Sequence, residues 1–179
     1  MYNKKKTSIL RRQIYIFTLL LFVLYTVNIA FFDVNAANKS IKAKKAYKNI
    51  LANKYGSNNT KFTVVEISGD KIPELIVSDI SYEPEGYLIY TYKGGKAKLL
   101  KKMDYFDGGE IKYIYPSKHI IETQEGDSWN AHTIYYKVTA KKIKKIKKKN
   151  LSSSKKYSLD YGKYKMKKNT VANRKKILN

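Results

Sequence analysis

The stretch "KFTVVEISGDKIPELIV" (residues 61–77) contains two short apolar runs rich in β-branched residues, separated by an acidic turn. β-branched residues favour strands, and Gly and Asp favour tight turns. Strands are therefore predicted at 62–67 and 75–80, joined by a loop that reverses the chain. The loop also carries oxygen-bearing side chains at alternate positions, the arrangement by which short loops surround calcium.

The candidate calcium ligands are Glu66, Ser68, Asp70 and Glu74. Lys71 stands where such loops usually have Gly, and a lysine is strained at positive φ and repels a cation. Two interpretations stay open: a weak structural calcium site, or a plain turn in which Asp70 accepts backbone N–H groups as an Asx-turn. The plain turn is preferred, and no other cofactor is predicted.

Further strands are predicted along the middle of the chain from alternating apolar residues bounded by turn residues. The clearest hairpin is "GYLIYTYKGGKAKLLKKM" (86–103), in which Lys93, Gly94 and Gly95 form the turn. The predicted strands of this block are 87–92, 97–103, 111–115, 119–123, 133–138 and 142–146. Together with the opening pair they make an antiparallel meander of about seven to eight strands.

Two helices are predicted to flank the meander. The first covers 40–56, with Ser40 as N-cap, Ile41 and Tyr47 on its apolar face and Gly56 at its end. The second follows a cap at Asn169 or Thr170, with apolar residues Val171, Ile177 and Leu178 expected to be buried. The fold class is therefore α+β.

The first 36 residues resemble a secretory signal peptide. The basic segment "MYNKKKTSILRR" precedes an apolar run at 14–32, and "VNA" (34–36) supplies small residues before a cleavage site. Residues 37–179 are then one secreted, extracellular domain. The alternative is an uncleaved anchor, which would be the chain's membrane contact. The sequence has no Cys, so the domain cannot form disulfides.

The segment "VVEISGDKIPELIV" (64–77) resembles the Asp-Ile-Asp-Gly-Asp-x-x-Pro-Glu-Leu segment of small, secreted, uncharacterised proteins of low-GC Gram-positive bacteria. The spacing of its oxygen-bearing residues also resembles, in degenerate form, the acidic loops of FG-GAP repeats and dockerins. The resemblance implies export and a β-rich domain. It implies no established activity.

Charge is concentrated near the C-terminus. Residues 137–179 contain seventeen Lys or Arg and a single acidic residue, Asp160. Within "KKIKKIKKKN" (141–150) the lysines either cover an edge strand or bind a polyanion such as teichoic acid, and no motif for sequence-specific nucleic-acid recognition accompanies them. The candidate polyanion-binding residues are Lys141, Lys142, Lys144, Lys145, Lys147, Lys148 and Lys149.

No catalytic motif is apparent in the sequence. The pattern predicts a secreted, non-catalytic protein that associates with cell-envelope polyanions, and so with the cell wall, through a basic face. The alternative is a small secreted enzyme or enzyme inhibitor that uses the acidic region between Glu122 and His132, where a carboxylate and an imidazole could act as acid and base.

Overall fold

The computed structural model describes residues 2–55, 59–79, 86–104, 110–125, 132–150 and 166–179. Within them the helices are α1 (Tyr2–Asn53) and α2 (Val171–Leu178), and a 3-10 turn covers Pro116–Lys118. The strands are β1 (Thr60–Val65), β2 (Glu74–Asp79), β3 (Gly86–Lys93), β4 (Lys96–Asp104), β5 (Glu110–Tyr115), β6 (Ile120–Glu125), β7 (His132–Val138), β8 (Ile143–Asn150) and β9 (Lys167–Lys168).

The predicted α+β class with an antiparallel meander between helices is confirmed, but the meander is divided into two sheets. The first sheet has the order β4-β3-β2-β1-β9, and the second has the order β5-β6-β7-β8. All the paired strands are antiparallel. Within each sheet, strands β1 to β4 and β5 to β8 follow one another as neighbours, and β9 returns from the far end of the chain to pair with β1.

The chain divides into two units, Met1–Asn38 and Lys39–Asn179. In the first unit, the apolar side chains described between Ile14 and Val27 are exposed by 45% or more. No helix in the described part of the chain is both long and apolar enough to cross a membrane. The predicted cleavage position after Ala36 lies inside α1.

The second unit has three layers, because the first sheet is covered on both faces. One face of that sheet packs on the helices, and alternate residues on the other face pack on the second sheet. The cluster between helices and first sheet contains Ala43, Tyr47, Leu51, Tyr55, Phe62, Ile72, Leu75, Val77, Tyr90 and Leu178. The cluster between the sheets contains Ile67, Ile76, Ile89, Met103, Ile111, Ile121, Ile134, Tyr136 and Val138.

The C-terminal segment closes the helical layer. The fully buried Asn169 donates from Nδ2 to the carbonyl oxygens of Leu51 and Tyr55, at 2.8 and 3.1 Å. These bonds join the C-terminal segment to the last turn of α1 and to the residue two positions beyond it, where backbone carbonyl groups need partners from outside the helix. Of the two predicted caps, Thr170 is the N-cap of α2, since its side chain accepts a hydrogen bond from the Asn173 N–H.

Several helix details differ from the predictions. Ser40 lies inside α1 and is not an N-cap, because no Gly or Pro interrupts the residues before it. Ile41 is 66% exposed and Val171 is 74% exposed, so both lie on the solvent side of their helices. Leu178 is buried as expected, whereas Gly56 lies outside the described residues.

Candidate functional site

The four candidate calcium ligands in the loop between β1 and β2 are joined to the loop by hydrogen bonds. Glu66 accepts from the Gly69 N–H at 2.6 Å. Asp70 Oδ1 accepts from the Ile72 N–H and from the Ser68 hydroxyl, each at 2.9 Å. The Asx-turn predicted at Asp70 is thus present. Among the described residues, no cluster of three or more His, Asp or Glu side chains could hold a metal ion.

Glu74, the first residue of β2, is the buried member of the four candidate ligands. Its Oε2 accepts from the N–H groups of Ile67 and Ser68 at 2.9 and 3.2 Å, while its Oε1 has no hydrogen-bond partner among the described residues. Burial raises the pKa of Glu74 from 4.5 to about 7, although the two N–H bonds act in the opposite direction. The buried Glu74 carboxyl therefore changes between its protonated and ionised forms near neutral pH.

Two other parts of the second unit are anchored to the same loop. Tyr47 of α1 donates from its hydroxyl to the Pro73 carbonyl at 2.8 Å, and burial near Glu74 raises the pKa of Tyr47. His119 Nδ1 lies 2.7 Å from the Ile67 carbonyl oxygen. The loop therefore links the helical layer, the first sheet and the second sheet, so it does more than reverse the chain.

Two residues, one in the loop between β1 and β2 and one at the end of the 3-10 turn, have backbone conformations that differ from the predictions. Lys71 has φ +64°, although a lysine was expected to avoid positive φ, and the Asp70 bond to the Ile72 N–H holds the turn in place around it. His119 was predicted to begin a strand, but it ends the 3-10 turn at φ +56° and donates its N–H to the Pro116 carbonyl. This left-handed conformation places the His119 ring over Gly69.

The lysines of residues 141–149 lie at the edge of the second sheet, because β8 is the last strand in its order. All seven are exposed, and none forms an ion pair with another described residue. We call this set the basic edge: Lys141, Lys142, Lys144, Lys145, Lys147, Lys148 and Lys149. It begins at the turn before β8, where the Thr139 hydroxyl accepts from the Lys142 N–H.

The outer face of the second sheet carries aromatic residues that the sequence analysis did not single out. One row across the four strands pairs Tyr113 with Glu122, Glu122 with Tyr135, and Tyr135 with Lys147. All of these residues lie opposite the buried Ile121 and Ile134, and the tyrosines are only half-buried. The strand alternation was visible in the sequence, but the row appears only once the register is known.

A second row runs parallel to the first. It pairs Tyr115 with Ile120, Ile120 with Lys137, and Lys137 with Lys144. The rings of Tyr113 and Tyr115 lie 6.0 Å apart between centroids, tilted by 32°. We call Tyr113, Tyr115 and Tyr135 the outer tyrosine face; it adjoins the basic edge.

Hydrogen bonding fixes part of this face. The Tyr115 hydroxyl donates to Glu122 Oε2 at 2.7 Å, and desolvation together with this carboxylate raises the pKa of Tyr115. Desolvation and the Glu122 charge also raise the pKa of Tyr135. Both phenols therefore stay neutral, and both present a planar ring to the solvent side, while the Tyr115 hydroxyl is already used in its bond to Glu122.

Comparison of the chain with protein-family models, with curated proteins and with solved structures finds no match. Function is therefore inferred from the arrangement of this chain's own residues.

The acidic region proposed as an alternative active site is brought together in part, because Glu125 and His132 are cross-strand partners in the register of β6 and β7. Strand alternation puts Glu122 on the outer face of the second sheet and His132, which shares a face with Ile134, on the inner one. His119 is engaged with the loop between β1 and β2. Asp127 and Trp129 lie outside the described residues.

Proposed function

We propose that this chain is a secreted, non-catalytic protein that associates with cell-envelope polyanions, such as teichoic acid, through the basic edge. The observation that carries the proposal is the position of the seven lysines: within nine residues, all are exposed at one edge of a sheet. A buried or ion-paired set would have to lose existing contacts before it could bind an anion. This set is already accessible.

The geometry of a strand suits an extended, repeating anion. Successive residues on a strand advance by about 3.3 Å and point to opposite faces, so alternate lysines recur about every 7 Å along each face. Lys144 and Lys147 share the outer face, and Lys145 and Lys148 share the inner side. The extra residue between them, Ile146, forms a β-bulge, which increases the local twist. The positive charge therefore lies on both sides of one edge.

The same lysines discourage edge-to-edge pairing with other chains, because charged edge strands repel one another. That role and polyanion binding are compatible, since both require exposed ammonium groups. What distinguishes them is the amount of charge: residues 137–179 carry a net charge of +16. Repulsion of a neighbouring strand needs far less than this.

Co-sedimentation with bacterial cell walls tests the proposal. The full chain is kept in a nonionic detergent, because the apolar residues described between Ile14 and Val27 are exposed. We expect binding at low salt, loss of binding at high salt, and weak binding to walls stripped of teichoic acid. Binding that is equal on stripped walls, or that is insensitive to salt, would contradict an electrostatic association with this polyanion.

A charge-matched pair of variants localises the binding surface. The triple variant Lys144→Glu, Lys147→Glu, Lys149→Glu reverses charge on the basic edge. Its control reverses three exposed lysines at the hairpin of the first sheet, namely Lys93, Lys96 and Lys98. Both variants have the same net charge. We expect only the first to lose wall binding, and equal losses would show that net charge alone attracts the chain.

A further inference from the structure

We propose that the outer tyrosine face binds the bases of single-stranded nucleic acid, without sequence preference, while the adjoining lysines hold its phosphates. This inference rests on the proposed function, because it assigns a more specific ligand to the same basic side of the second sheet. Proteins that bind single strands combine a positive groove with aromatic rings on which bases stack. Both parts occur here on one sheet face.

The tyrosines that would stack on bases and the lysines that would hold phosphates lie on different strands of the second sheet. Tyr113 and Tyr115 lie on β5, at one edge, and the lysines of β8 lie at the other. Tyr135 is the direct neighbour of Lys147, at the strand spacing of about 4.8 Å. A strand of nucleic acid lying along the sheet can therefore place a base on a tyrosine ring and its phosphate beside an ammonium group.

The charges nearest the rings favour an anionic ligand. Lys137 and Lys144 are cross-strand partners in the row beside Tyr135, and Lys147 is in its row. The Lys118 ammonium lies 5.6 Å from the centroid of the Tyr115 ring. Glu122 is the one acidic side chain among the residues of these two rows.

Glu122 fits a base better than it fits a phosphate. It accepts the Tyr115 hydroxyl through Oε2, which orients the carboxylate within the face. A carboxylate repels phosphate, whereas every base has an N–H donor on its Watson–Crick edge, such as the N3–H of thymine, that a carboxylate can accept. A plain polyphosphate has no hydrogen-bond donor for this acceptor, and neither it nor a teichoic acid has a planar ring to stack on the tyrosines.

Fluorescence anisotropy with two labelled oligonucleotides tests the inference on the full chain in nonionic detergent. One is a thymidine strand of about twelve nucleotides, a length within the range that such sites cover. The other is an abasic strand of the same length, with the same phosphates and sugars but without bases. At low salt we expect the thymidine strand to bind at least about tenfold more tightly.

Variants that keep bulk but lose the planar ring locate the contact. We expect Tyr113→Leu and Tyr135→Leu each to weaken binding of the thymidine strand about tenfold, with little effect on the abasic strand. Tyr113→Phe and Tyr135→Phe retain the ring and should bind like wild type. A thermal melt verifies that each variant folds, and the comparison of the two strands on wild type needs no variant.

The outcomes separate this inference from the proposed function. Equal affinity for the two strands overturns base stacking but leaves polyanion binding by the basic edge intact. If the chain binds neither oligonucleotide and does not bind cell walls, both the inference and the proposed function are overturned. Tighter binding of a neutral oligosaccharide, lost in Tyr113→Leu, would identify the face as a sugar site and would also overturn the nucleic-acid assignment.

Discussion

Replacing Glu74 by Gln should change how the stability of this protein depends on pH. Glu74 is fully buried, and burial raises its pKa from 4.5 to about 7. Between these two values the folded protein holds a proton that the unfolded chain has released. The contribution of Glu74 to the free energy of unfolding therefore falls as pH rises from about 4.5 to about 7, and this loss is complete above the upper value. Gln resembles the protonated carboxyl and does not titrate.

The size of the effect follows from the shift. Each pKa unit corresponds to about 1.4 kcal/mol, so a shift of this size makes the ionised carboxylate cost about 3 kcal/mol in the folded state. We expect the free energy of unfolding of Glu74→Gln, minus that of wild type, to rise by about this amount from acidic to mildly alkaline pH. The Gln carbonyl can still accept the N–H groups of Ile67 and Ser68.

Urea unfolding of both proteins at a series of pH values measures this difference. Glu66→Gln is the matched control, because it changes the same functional group in the same loop at a residue that is only partly buried. A difference between Glu74→Gln and wild type that stays flat with pH would refute the reasoning, since it would mean that the Glu74 carboxyl has the same protonation in the folded and unfolded states.

Three other predictions concern the loop and its surroundings. Gly69→Ala should lower the free energy of unfolding by about 1–3 kcal/mol more than Gly94→Ala. A Cβ added at Gly69 would lie 2.6 Å from His119 Cε1, whereas a Cβ added at Gly94, which also has positive φ, would meet open space. Equal losses in urea unfolding would contradict the contact. Thr170→Ala should cost about 1 kcal/mol and Thr170→Ser much less, because Ser also caps helices; equal thermal shifts would argue against the cap. Millimolar calcium should leave the melting temperature unchanged, because carboxylates of this loop already accept backbone N–H groups; a rise reversed by a chelator would establish a metal site.

Local patterns in the sequence were sufficient to predict eight of the strands. Alternating apolar residues marked them, and Gly94 and Gly95 marked the clearest turn, where both have positive φ. The two-residue strand β9 was not predicted, because Lys167 and Lys168 carry no apolar signal and pair with β1 only through long-range folding. The division into two sheets was also missed, since nothing local distinguishes a turn within a sheet from a passage between sheets.

The candidate site was predicted in part. The lysines of residues 141–149 were identified from composition alone, because a dense charge cluster is a local property. The outer tyrosine face was not, because Tyr113 and Tyr135 become neighbours in a row only through the pairing of three strands. The burial of Glu74 was likewise hidden, since its position in a polar loop indicates exposure, and tertiary packing reverses that indication.

The contact between Asn169 and the end of α1 can form only after almost the whole chain has been synthesised. Asn169 is 118 residues beyond Leu51, whose carbonyl it satisfies. At about 5–20 residues per second, a ribosome needs on the order of ten seconds to make that span. Throughout this interval the last turn of α1 and the free side of β1 lack their final partners. The rate of translation, as well as the stability of the finished domain, therefore sets how long that strand is open to pairing with other chains.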